Sequence, residues 1–196
     1  MSEELRQNLP VLPFASPQVW ERWLAENHAG CSGVWVKFAK KSTGIASVTY
    51  EEARDVALCY GWIDGLKHGY DETHYLIRFL PRRPKSIWSK VNVGIAESLI
   101  ASGRMRPAGL AEVERAKADG RWEAAYDSQA TMQVPDDFRA ALSEVPQALA
   151  FFETLKSSSR YAFLYRIQTA RTPELRAKRI RDFVGMLERG EAFHLI

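Results

Sequence analysis

The sequence predicts an α+β protein: a small three-stranded antiparallel sheet packed with helices, followed by a helical C-terminal unit. Three observations carry that expectation. The runs Val34 to Ala39, Trp62 to His68 and Thr73 to Leu80 are short and rich in aromatic and β-branched residues, the composition of half-buried strands. Helix-opening signals stand between and after them. From Pro135 onward no strand pattern returns and helical stretches follow one another, which segregates helices from sheet.

In order along the chain, residues 1–15 read as an extended arm ending at Pro13-Phe14. Ser16-Pro17 is an N-cap with proline at the first helical position. The helix it opens reaches about His28, with Val19, Trp20, Trp23 and Leu24 as its apolar stripe. After Gly30 and Gly33 comes the first strand, then a loop from Lys40 to Ser47 that is basic at its start. Thr49-Tyr50-Glu51-Glu52 is a capping box. Its helix buries Ala53, Val56 and Ala57 and stops at Gly61.

The second and third strands form a hairpin around Gly69-Tyr70-Asp71-Glu72. A regular ladder centred on Asp71 sets Asp64 opposite Arg78. Ser86 or Ser89 caps a helix to about Ala101 with Val91, Ile95, Leu99 and Trp88 inward, and Pro107 opens another to Gly120. Trp122 to Val134 has no clear period. Helices are expected over 135–142, 145–155, 157–170 and 172–189. The domain reading is 1–126 for the α+β part, 127–134 for a linker and 135–196 for the helical unit.

Composition narrows the function classes. At 196 residues, 46% apolar and 26% charged, the chain is an ordinary globular protein. A net charge of +3 does not by itself call for nucleic acid. Two cysteines make no disulfide framework. The N-terminus lacks the basic and apolar regions of a signal peptide, and no apolar run is long enough to span a bilayer. A cytoplasmic location is expected. There is no phosphate-cradling glycine loop, nucleophile elbow or zinc-binding cysteine pattern, and no cofactor is expected.

The candidate site is the hairpin with the turn that follows it. Asp64 facing Arg78 either positions a ligand or ties two strands together. Trp62 on the same face offers a flat wall, though an aromatic at a strand start also serves a core. Arg82, Arg83 and Lys85 precede a helix N-terminus, where free N–H groups and the helix dipole favour an anion. Trp88, Ser89 and Asn92 follow directly. His68 and His74 flank the hairpin tip, but no third ligand is fixed by spacing, so no metal is expected. His28 and His194 read as terminal or surface residues. Cys59 falls near a helix C-terminus, where the dipole opposes a thiolate, and reads as core. The arginines between Lys156 and Arg181 read as a solvated face.

Nearly end to end, the chain resembles the YdeI/OmpD-associated, or bacteriocin-protection, proteins. The resemblance is carried by Trp35-Val36-Lys37 with Ala39-Lys40-Lys41, by Ser47-Val48-Thr49-Tyr50, by Ala57 to Gly65, and by Arg78-Phe79. It continues through Pro81-Arg82-Arg83-Pro84, Trp88-Ser89-Lys90 with Asn92, and Gly103 to Gly109. Val134-Pro135-Asp136-Asp137, Arg160-Tyr161-Ala162 and Arg176 to Ile180 extend it into the C-terminal half. The family brings no established reaction, cofactor or catalytic residue. It implies a stress or envelope-protection role, with an envelope protein among the expected partners. Leu66, Ile77, Leu80 and Leu175 stand where the family pattern is often polar.

Three readings stay open. The first is a binding protein with an anion-accepting groove: Arg82, Arg83 and Lys85 receive the anion, Trp62 and Trp88 wall it, and Asp64 orients Arg78. The second is an enzyme using Asp64 as acid or base, favoured by a deep concavity around Asp64 without pairing to Arg78. The third is a nucleic-acid module using the C-terminal arginines.

Overall fold

Val34, Trp35, Val36 and Phe38 are all fully buried, so the strand they form has apolar cover on both faces and belongs inside a sheet rather than at its edge. The computed structural model describes residues 4–193 and puts this strand in the middle of five. They are β1 (Leu5–Arg6), β2 (Leu9–Pro13), β3 (Val34–Ala39), β4 (Trp62–Gly69) and β5 (His74–Pro81). Their order across the sheet is β1-β2-β3-β5-β4. β2 runs parallel to β3, and the other neighbours are antiparallel.

The sheet is therefore mixed and larger than the three antiparallel strands expected. The arm at residues 5–13 supplies the two extra strands. Pro10 and Pro13 hide them in the sequence, because proline cannot donate to a ladder and argues against a strand. The hairpin joining β1 and β2 turns on Gln7 and Asn8, both at positive φ (52° and 59°). Two left-handed residues in succession match the right-handed twist of the flanking strands.

The helices follow their caps. α1 (Pro17–Asn27) starts at Ser16, whose Oγ accepts from the Val19 amide at 3.4 Å. α2 (Tyr50–Cys59) carries the complete Thr49/Glu52 capping box. Trp20 locks the two together by donating to the Ala53 carbonyl at 3.0 Å, and its ring meets Phe79 edge-on at 5.6 Å. Val19 is 43% exposed, so the buried stripe of α1 is narrower than expected.

α3 (Lys90–Ala101) and α4 (Pro107–Ala118) follow the hairpin. In α3 the buried positions are Ala96 and Leu99, while Val91 is exposed. α4 meets α2 at Gly109, where an added Cβ would lie 2.7 Å from the Leu58 carbonyl oxygen. Only a residue without a side chain allows that approach.

The last four helices are α5 (Asp136–Ser143), α6 (Pro146–Thr154), α7 (Ser157–Gln168) and α8 (Pro173–Glu188), close to the expected spans. Phe138, Phe152, Phe163, Ile167, Ile180, Phe183, Val184 and Leu187 form their common core. The chain divides into two compact units. The first runs to Trp88 and includes Asn92–Ala124; the second joins Ser89–Val91 to the residues from Ala125 onward. No described helix is long and apolar enough to cross a membrane.

Candidate functional site

The hairpin register decides which side chains meet. β4 and β5 pair Trp62 with Pro81, Ile63 with Leu80 and Asp64 with Phe79. The register then shifts, so that Lys67 pairs with Ile77 and His68 with Leu76. Between Asp64 and Lys67 the chain advances three residues on β4 while β5 advances two. That β-bulge leaves Gly65 and Leu66 outside the ladder. In a regular strand residues 64 and 67 point to opposite faces. The bulge turns both onto the face carrying Phe79 and Ile77.

Asp64 and Arg78 therefore do not meet, and the expected pair is corrected. Arg78 lies opposite Trp35, on the other face of the sheet. Its guanidinium sits 5.6 Å from the centre of that ring and donates to Gln7 Oε1 at 3.2 Å. Asp64 Oδ2 accepts instead from the Tyr50 hydroxyl at 3.0 Å. The ladder anticipated from sequence fails because it contains no bulge and centres the turn one residue early.

The other predicted residues are dispersed. Trp62 is 1% exposed, meets Trp23 edge-on and donates to the His28 carbonyl at 3.2 Å. Trp88 is also buried, with Trp122 against it. Neither ring is a wall open to a ligand. Arg82 is 6% exposed, its guanidinium carbon 3.6 Å from the centre of the Trp88 ring. Its amide donates to the Gly61 carbonyl, and its Nη1 reaches the Ile87 carbonyl. Arg121 donates to the Ser86 carbonyl at 2.6 Å, so arginines hold the 81–89 turn in shape. Arg83 and Lys85 are exposed. Ser89 falls in the second unit, bridged to Tyr126, and Asn92 is half-buried in the first turn of α3. Within the first unit, Trp62, Asp64, Arg78, Arg82 and Trp88 do not gather into one groove.

A different concavity does form, within the first unit. Its volume is about 520 Å3, inside the usual range of ligand pockets, about 300–1,000 Å3. The end of β3, the 40–49 loop, the first turn of α2, β4 and β5 all contribute to it. Val48, Ile45, Tyr75 and Ile77 supply its apolar part. Lys40, Lys41 and Lys67 bring positive charge, Asp64 and Glu51 negative.

Local structure fixes that rim. Lys41–Thr43 is a single 3-10 turn ending at Gly44, whose φ is +67°. Ser47 Oγ accepts from the Ala39 amide, and the Val48 amide donates to the Phe14 carbonyl at 2.8 Å. Lys40 reaches over to the hairpin tip, its Nζ donating to the carbonyls of Asp71 and Glu72 at 3.1 and 3.0 Å. Lys67 Nζ stands 4.4 Å from the centre of the Tyr75 ring, a cation–π distance. Burial, then the Asp64 charge and hydrogen bond, push the Tyr50 phenol up to about 12. Tyr50 is therefore a neutral donor to Asp64 at physiological pH.

Asp64 is the one predicted site residue that lines this concavity. Lys40, Lys41, Tyr50, Lys67 and Tyr75 were not singled out from sequence. A signal for some of them was present: Lys40-Lys41 and Ser47 to Tyr50 are among the stretches that carry the family resemblance.

Elsewhere, burial pushes the Cys59 thiol up to about 11, which leaves it unreactive. His68 stacks edge-on with Trp35, and His74 contacts Asp71 and Thr73. Among the described residues no group of three metal-ligating side chains forms. His194 lies outside the described residues. In the second unit Arg160, Arg166 and Arg179 donate to backbone carbonyls, and Arg176 grips Asp137 through two nitrogens at 2.7 and 2.8 Å. These four are half-buried structural groups, whereas Arg171 and Lys178 of the expected solvated face are exposed.

Comparison with known proteins gives two family matches. Residues 12–112 match the family described as a domain of unknown function, DUF8412. Residues 131–190 match the family described as Bacteriocin-protection, YdeI or OmpD-Associated. No curated protein and no solved structure matches the chain.

Proposed function

We propose that this chain, which belongs to the family of the domain of unknown function DUF8412 and carries a YdeI/OmpD-associated, bacteriocin-protection domain behind it, is a binding protein for a small anionic molecule. The ligand enters the concavity between the 40–49 loop and the β4–β5 hairpin. One observation carries the reading. Three separate stretches of the family resemblance, Ala39 to Lys41, Ser47 to Tyr50 and Asp64-Gly65, line that single cavity. Lysines at its rim accept an anion, and an apolar floor holds the body of the ligand. The anion site expected at Arg82 is moved here, because that guanidinium is buried against Trp88.

Native mass spectrometry of the freshly purified protein tests this. The expected result is an anionic small molecule that stays bound in the wild type and is lost when Lys41 and Lys67 are both changed to glutamate. A ligand retained equally by that double variant would place binding elsewhere.

A second reading rests on Asp64, which lies in a concavity and is not paired with Arg78. There Asp64 is the proton acceptor of an enzyme. Turnover of the bound molecule by the wild type, abolished in Asp64→Asn while binding persists, would separate catalysis from binding.

A further inference from the structure

We infer that the molecule held in this cavity is a zwitterion, a short peptide or amino-acid derivative whose free ammonium meets Asp64 and whose carboxylate meets Lys41 and Lys67. The inference rests on the binding reading above and goes beyond it in assigning a cationic end to the ligand.

Charges of both signs in the cavity lack an ionic partner among the described residues. Asp64 accepts one hydrogen bond, from a neutral phenol, on one oxygen. Among the described residues no cation pairs with it, although Lys67 lies three positions away and lines the same cavity. Lys41 and Lys67 have no carboxylate partner among the described residues either. Lys40 is different, because its ammonium is held by two carbonyls of the hairpin tip.

The cavity thus keeps opposite charges apart within one partly closed space. The bulge in β4 is the device that does so, since it brings Asp64 and Lys67 to one face without letting them meet. A simple anion answers the lysines but leaves the Asp64 carboxylate unanswered, and a simple cation answers Asp64 but leaves the lysines unanswered. A molecule carrying both charges answers both ends, and charge-assisted contacts are the stronger class of hydrogen bond. Ile45 and Ile77 supply an apolar surface for its side chain.

Isothermal titration calorimetry on the full chain tests this with phenylalanine, glycyl-phenylalanine and diglycyl-phenylalanine. Each is used free, N-acetylated and C-amidated, which varies the spacing of the charges and removes them singly. The expected result is that at least one free peptide binds and that acetylation and amidation each weaken it about tenfold or more. Asp64→Asn should bind free and acetylated forms alike, and Lys67→Gln should lose most of the preference for the free carboxylate. An acetylated peptide that binds wild type as tightly as the free one overturns the zwitterion and leaves the anion reading standing. This comparison needs no variant to fold. Absence of binding by every member overturns the zwitterion, while the anion reading is decided separately by the native mass spectrum.

Discussion

The helical unit and the cavity of the sheet unit use their charges in opposite ways, although the sheet unit has ion pairs of its own elsewhere, such as Arg106 with Glu21. In the helical unit Arg176 holds Asp137 in a two-pronged grip and also reaches the Ile167 carbonyl. Arg166 and Arg179 each donate to carbonyls of α7, and Lys178 pairs with Asp182 one turn away. In the sheet unit the cavity lines up Lys41, Lys67, Glu51 and Asp64 with no ion pair among them. The unit with the higher proportion of arginine is therefore not the one better equipped to bind. A count of basic residues measures charge; a binding site needs charge that the fold has left unanswered.

The comparison can be sharpened first where the effect is largest. Phe163 is fully buried against Phe183 and Phe193 at ring distances of 5.3 and 4.6 Å. Phe163→Ala should lower stability in urea denaturation by about 3–5 kcal/mol, the usual loss for an emptied aromatic site. Arg176→Ala comes next, with an expected loss of about 1–2 kcal/mol, kept modest by partial exposure of the pair.

That second variant should also change the acid profile. The hydrogen bond from Arg176 holds the Asp137 carboxyl below its ordinary value. A depressed folded value means the stabilisation is present above the unfolded value and is lost as pH falls through the folded one. Wild-type stability should thus fall more steeply than that of Arg176→Ala in the acid range below the ordinary carboxylate value. Equal slopes would show that the pair is solvated and idle, and would weaken the contrast between the units.

On the sheet side the expected losses shrink. Tyr50→Phe removes one hydrogen bond and should cost about 0.5–1.5 kcal/mol. Tyr50 ionises near 12 rather than 10. For a phenol held neutral by the fold, the stabilisation is complete below the unfolded value and disappears as pH rises from 10 to 12. Burial is the first cause of the shift and the Asp64 charge the second. Asp64→Asn should therefore move the Tyr50 transition part of the way down, read from tyrosinate absorbance. Lys67→Gln should be the smallest, within about 0.5 kcal/mol of wild type in stability, while most of the preference for a free carboxylate is lost. A large stability loss there would make Lys67 structural and break the comparison from the other end.

Much of the fold was legible because its signals are local. Caps at Ser16, Thr49 and Thr172 named helix starts, and the side-chain oxygens of all three accept the amides they should. The apolar spacing of Ile180, Phe183, Val184 and Leu187 named the buried side of α8. The N-terminal strands were not legible, since Leu9–Pro13 contains two prolines and becomes a strand only through its partners β1 and β3. The site was only partly legible. Asp64 was found, but its neighbours depend on a one-residue bulge that shifts a ladder, and composition carries no mark of such a shift beyond Gly65. Trp62, Trp88 and Arg82 drew attention as unusual residues, and burial accounts for all three.

The order of strands across the sheet has a consequence for biosynthesis. β5 lies between β3 and β4 yet is the last strand to leave the ribosome. Until Pro81 emerges, β3 has only β2 beside it and β4 has no partner at all. The nascent chain therefore passes through a stage in which unpaired main-chain edges wait beside the apolar side chains of Val34 to Phe38, the interval in which a growing polypeptide is most exposed to chaperones and to its own neighbours.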